Sequence, residues 1–159
     1  MSTRREAREL ALQALYRVEV VGDESPEALE LLWENFEAPI DARGFAVELL
    51  GGVLAGREAI DALIADAAEN WSVARLSRVD LNVIRIAVFE LQHRDPRTPT
   101  RVVLDEAIEI ARRYGGEASS QFVNGVLDQI AGRLGVREPK PGDASAAGPP
   151  RSPGDDEES

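Results

Sequence analysis

Apolar residues recur along most of the chain at three- and four-residue spacing, the periodicity of amphipathic helices rather than strands. Ala7, Leu10, Ala11, Ala14, Leu15 and Val18 form a first stripe that opens at Ser2 or Thr3 and stops near Gly22. Ser25 followed by Pro26 reads as an N-cap with proline at the first helical position. Leu29, Leu32, Trp33 and Phe36 are the buried stripe of that second helix, which Pro39 ends. Asp41 is placed to cap a longer helix whose apolar phase runs through Ala46, Leu49, Leu50, Val53, Ile60, Leu63, Ile64, Ala67 and Trp71. Glycines 51, 52 and 56 either bend it or let a neighbour approach closely.

Ser77-Arg78-Val79-Asp80 has the capping-box pattern ahead of the run Val79 to Leu91, which is apolar on nearly every side. A helix of that kind belongs in the middle of a bundle. Asp95 to Thr100, with Pro96 and Pro99, reads as a stiff loop, and Thr100 as the cap of a helix carrying Val103, Ala107, Ile108 and Ala111. Gly115 and Gly116 close that helix. Ser119 or Ser120 opens the last one, with Phe122, Val123, Val126, Leu127 and Ile130 on one face. The expected fold is all-α, six to seven helices over residues 1–136. From residue 137 to 159 the composition turns to Pro, Gly, Ser, Asp and Glu, an expected disordered acidic tail.

Composition narrows the chemistry. At 159 residues the chain suits one domain, and it has no cysteine. A disulfide framework, a thiolate zinc site and a cysteine nucleophile are thereby excluded. Met1 to Arg8 lacks the apolar core of a signal peptide and no stretch reaches membrane-span length, so a cytoplasmic location without membrane contact is expected. Gly51 and Gly56 share the spacing of a phosphate-binding loop, but Arg57 and Glu58 stand where Lys and Ser or Thr are required. Glu90-Leu-Gln-His93 is half of a di-iron motif, and the chain holds 1 His. No cofactor, metal or catalytic residue is called for, and the chain reads as no enzyme.

The net charge of −11 argues against nucleic acid only as a total. Residues 1–18 hold four arginines against two glutamates, while residues 138–159 hold two bases against six acids. Arg4, Arg5 and Arg8 fall within an arc of about 100° beside the first apolar stripe. They oppose the helix dipole there, which a purely structural role does not explain. Arginine forks at a helix N-terminus suit phosphate. The competing reading is a solvated charge run with Glu6 and Glu9 as partners. Phe122 is a candidate for base stacking, although its phase with Val126 and Ile130 equally suits the core. RNA binding at this arginine cluster requires its guanidinium groups to be free of internal ion pairs.

Four segments in order, Arg4 to Tyr16, Val79 to Leu91, Val103 to Gly115 and Phe122 to Asp128, resemble the NusB family of transcription antitermination factors over about residues 3–134. The resemblance implies an all-α fold of two small packed bundles. It implies binding of boxA-type single-stranded RNA together with NusE, the small-subunit ribosomal protein, within an RNA polymerase antitermination complex that suppresses termination, notably on ribosomal RNA operons. Arg4, Arg5 and Arg8 map onto the family's arginine-rich N-terminus. Tyr16, Glu117, Ser120, Gln121 and Phe122 lie by analogy at the same RNA surface, and Asp80 and Glu90 toward the protein partner. Glu6 interrupts the basic run, and Ala118 stands where an acid is common. Two other readings stay open. One is a helical protein–protein adaptor without RNA contact; the other is a stray domain of an RNA cytosine methyltransferase, which would need a cofactor-binding domain.

Overall fold

The six stretches become six helices in a computed structural model that describes residues 3–36, 40–68, 76–93 and 98–137. They are α1 (Thr3–Val21), α2 (Pro26–Asn35), α3 (Ile40–Ala67), α4 (Arg78–His93), α5 (Thr100–Gly115) and α6 (Glu117–Leu134). Pro39, Trp71, Pro96 and the acidic segment from residue 138 onward lie outside the described residues. No strand occurs among the described residues, and no helix there is long and apolar enough to cross a membrane.

Two of the local start signals operate as the sequence indicates. The Ser25 hydroxyl accepts from the Ala28 N–H at 3.1 Å with Pro26 opening α2, and the Asp80 N–H donates to Ser77 Oγ at 3.0 Å. Two others do not. Pro99, not Thr100, precedes α5, because the Thr100 hydroxyl is buried and donates to the Val136 carbonyl at 2.7 Å. α6 opens at Glu117, two to three residues before the expected serines, directly after Gly116 at φ +90°, a conformation that glycine adopts without Cβ strain. Ser120 lies inside the helix, its hydroxyl donating to the Glu117 carbonyl at 2.8 Å.

α1 pairs with α3 and α5 with α6, and α4 sits at the centre, touching α1, α3, α5 and α6. Every residue from Leu81 to Val88 is buried, as an all-round apolar helix requires. Each fully buried Leu, Ile or Val in that stretch stabilises by roughly 1.5–3 kcal/mol. The glycines of α3 divide the expected tasks. Gly56, at φ −107° and ψ 15°, breaks the helical geometry, while Gly52 admits the Phe89 ring, which stands 2.1 Å from where a Cβ would be. α1 therefore lies against the central helix with its N-terminal arginines facing acids of α4 and α5.

Candidate nucleic-acid interface

The start of α1 is where the sequence places a free cationic corner, and the structure corrects that picture. Arg8 is 3 % exposed. It makes a bidentate fork with Glu90 of α4, Nε to Oε2 at 2.6 Å and Nη2 to Oε1 at 2.8 Å. Arg5 makes a second fork with Glu106 of α5, both contacts at 2.8 Å, its side chain 30 % exposed. Glu9 meets Arg113 at 2.5 Å. Arg4 is exposed and lies over Phe45, 4.0 Å from guanidinium carbon to ring centre. The arginines that oppose the α1 dipole are thus offset by carboxylates from other helices, and Arg8 presents no face to a phosphate.

Arg5 and Glu106 reinforce each other. The Arg5 fork is the main cause that holds the Glu106 carboxyl below its ordinary value of 4.5, against partial burial and with help from Arg8 and Arg113. The Arg5 guanidinium is held charged by the same hydrogen bond and charge. A lowered carboxyl contributes stability above its unfolded value and loses it as pH falls through the folded one. Glu106→Gln is therefore expected to flatten the loss of stability on acidification below about pH 4.5, read by thermal melts from about pH 7 to about pH 3. An unchanged acid limb would show that the clasp does not contribute.

The other expected site residues disperse. Ser120 is buried and Glu90 is 6 % exposed and fully occupied by Arg8, so neither is offered to RNA or to a protein partner. Phe122 is half-buried and packs against the core, whereas Glu117 and Gln121 are exposed on the first turns of α6. Asp80 is half-buried at the start of α4.

Tyr16 has company that the sequence did not announce. It is 54 % exposed and walls a groove of about 390 Å³, with Tyr114 of α5, 40 % exposed, as another wall. Leu12 and Val79 line the groove between them, Gln13 reaches the Tyr114 hydroxyl at 3.4 Å, and Arg17 and Arg78 border it. Arg78 is 59 % exposed and 3.3 Å from Glu19. Glu19 also accepts from Asn82 at 2.8 Å and from Arg85 at 3.2 Å. Arg85 is opposed by burial but kept charged by its fork with Asp61, both contacts at 2.8 Å, and by Glu19. This network fixes the α4 side of the groove, so aromatic faces and arginines stand together on a rigid frame. Of the run Arg112-Arg113-Tyr114 only Tyr114 lines it, so no local pattern in the sequence announces the groove.

The family model described as the NusB family matches residues 5–132. The chain is 47 % identical over 146 residues to the transcription antitermination protein NusB of Geotalea uraniireducens, spanning 87 % of this chain and 100 % of that protein. Among solved structures it is similar to NusB of T. maritima, at 42 % identity and TM-score 0.71 over 81 % of this chain and 90 % of that one. It is also similar to a chain in the crystal structure of antitermination factors NusB and NusE in complex with dsRNA, at 28 % identity and TM-score 0.70, covering 84 % and 98 %.

Proposed function

We infer the function of this chain from one premise: it belongs to the NusB family. It is a transcription antitermination factor, a binding protein and not an enzyme. It binds boxA-type single-stranded RNA together with NusE and enters the RNA polymerase antitermination complex in the cytoplasm. The observation that carries the RNA-binding part is the groove between Tyr16 and Tyr114, where two exposed rings meet Arg17 and Arg78 on a chain of net charge −11. Single-stranded RNA is held by base stacking on aromatic faces and by arginines on phosphates.

RNA contact is assigned to Tyr16, Tyr114, Arg17 and Arg78, continuing over Gln121, Glu117 and the exposed edge of Phe122 and toward Arg4 and the outward edge of Arg5. Glu117 serves by salt-bridging Arg112 at 3.3 Å rather than by meeting phosphate. Asp80 is the residue left on the side of the protein partner. The pairing of Arg5 and Arg8 with carboxylates favours the second reading, a helical adaptor that contacts only proteins.

Fluorescence anisotropy with a boxA-like RNA, with and without NusE and across salt, separates the two. NusE is expected to tighten binding. With about three phosphates neutralised, the logarithmic salt slope should be roughly −2. Association with NusE and no RNA binding in either arm would establish the adaptor.

A further inference from the structure

α2 seats only Leu32 and Trp33 in the core, and its outer face is unusual. Leu31 is 59 % exposed and Val21, at the end of α1, 66 % exposed. Together with Val18, Ala28, Leu32 and Asn35 they line a groove of about 370 Å³ between the two helices. Exposed apolar surface of this kind commonly marks a contact site when it is rimmed by polar groups. Asp23 and Glu27 line the groove together with one arginine, Arg17, and the segment around it is acidic. Asp23, Glu24, Glu27, Glu30 and Glu34 lie within residues 22–36, which hold no Lys or Arg. Asp23 is kept ionised by hydrogen bonds from the Ser25 backbone and side chain, and Glu24 meets Arg57 at 2.7 Å.

We propose that the groove between α1 and α2 docks a basic amphipathic helix of a protein partner, its apolar side chains against Val21 and Leu31 and its lysines or arginines toward Asp23, Glu27 and the acidic face of α2. Helix-in-groove binding of this type reads as apolar anchors at i, i+3, i+4 and i+7. Charge decides the occupant. RNA is a polyanion and is disfavoured beside residues 22–36, which carry five carboxylates and no base and place Asp23 and Glu27 in the groove wall against the single Arg17. A second copy would bring the same acids face to face. The chain's own residues 138–159 carry six acids against two bases, the same sign again. The site is separate from the tyrosine groove but adjoins it, since Arg17 lines both. A helix docked there adds a protein contact to the RNA-binding reading without depending on it.

The test uses the full chain and a labelled synthetic peptide of about fourteen residues, Leu at i, i+3, i+4 and i+7 and Lys elsewhere. Saturable binding is expected by anisotropy, with NMR shifts at the amides of Val21, Ala28 and Leu31. Leu31→Asp, which adds negative charge, should weaken binding at least about tenfold because it removes the apolar anchor. Glu27→Lys should weaken it severalfold by reversing the charge of an acid that lines the groove. Both changes lie on exposed positions, so circular dichroism should be unchanged. A peptide of identical composition with permuted leucines should bind far more weakly. Equal binding by the permuted peptide would reduce the effect to charge attraction and overturn the proposal. So would shifts at another face, no binding by either peptide, or concentration-dependent shifts at the groove without peptide, which would assign it to a second copy.

Discussion

Replacing Arg8 by alanine is expected to destabilise the fold by about 3–5 kcal/mol, the typical consequence of breaking a buried ion pair. Both Glu90 oxygens accept from Arg8, and the Glu90 side chain is 7 % exposed, so the change leaves a largely buried carboxylate without its fork. Glu90→Ala strands the guanidinium in the same way. Arg8→Met with Glu90→Leu strands nothing, and replacing both partners by apolar groups of similar volume is often neutral or stabilising by about 1–4 kcal/mol. Urea unfolding of the parent, Arg8→Met, Glu90→Leu and the double variant therefore gives a large coupling of favourable sign. Arg5→Ala breaks a pair whose arginine is 30 % exposed and solvent-screened, with an expected loss of about 1 kcal/mol or less. If Arg8→Ala left stability within about 1 kcal/mol of the parent, Glu90 would have another source of compensation and the pair would not be the buried clasp described above. The ordering has a practical consequence: loss of RNA binding by an Arg5, Arg8 double variant would report unfolding as much as contact.

The core was legible because helical spacing is a local property. Leu10, Leu15, Leu49, Val53, Ile84, Val88, Val123 and Leu127 lie on the stripes that the sequence displays, and all are buried. Local hydrogen bonds were legible for the same reason, as with Ser25 to Ala28 and Ser77 to Asp80. Long-range partners were not. The acids that occupy Arg8 and Arg5 stand 82 and 101 residues away, so three arginines in one arc look equally free until α4 and α5 are laid against them. Thr100 looks like a cap, yet its hydroxyl serves a carbonyl 36 residues on. The tyrosine groove is the positive counterpart of these misses. Tyr114 shares a wall with Gln13 across 101 residues, a proximity that only the packing of α1 on α4 and α5 creates. Charge patterns show which residues are polar, whereas tertiary packing decides which of them meet solvent.

Tyr16→Ala and Tyr114→Ala are each expected to weaken boxA-like RNA by about 1–3 kcal/mol, the range for loss of one base–aromatic stack, or roughly 5- to 150-fold. Both side chains are substantially exposed, so folding stability should move by no more than about 0.5 kcal/mol. Phenylalanine at either position keeps the ring and should bind nearly as the parent does, since the hydroxyl contact in the groove is the long 3.4 Å approach of Gln13 to Tyr114. The salt dependence distinguishes rings from cations. Removing a ring lowers affinity at every ionic strength and leaves the slope alone. Arg17→Ala or Arg78→Ala should instead make the slope shallower by about 0.7 for each single-strand phosphate that is no longer neutralised. Near-parental affinity of the tyrosine-to-alanine pair, together with strong loss in Arg4→Ala, would move the RNA path off this groove and onto the face beside Phe45. Loss in the tyrosine pair with an unchanged slope can only come from stacking, because no charge has been altered and the arginines that border the groove are still in place.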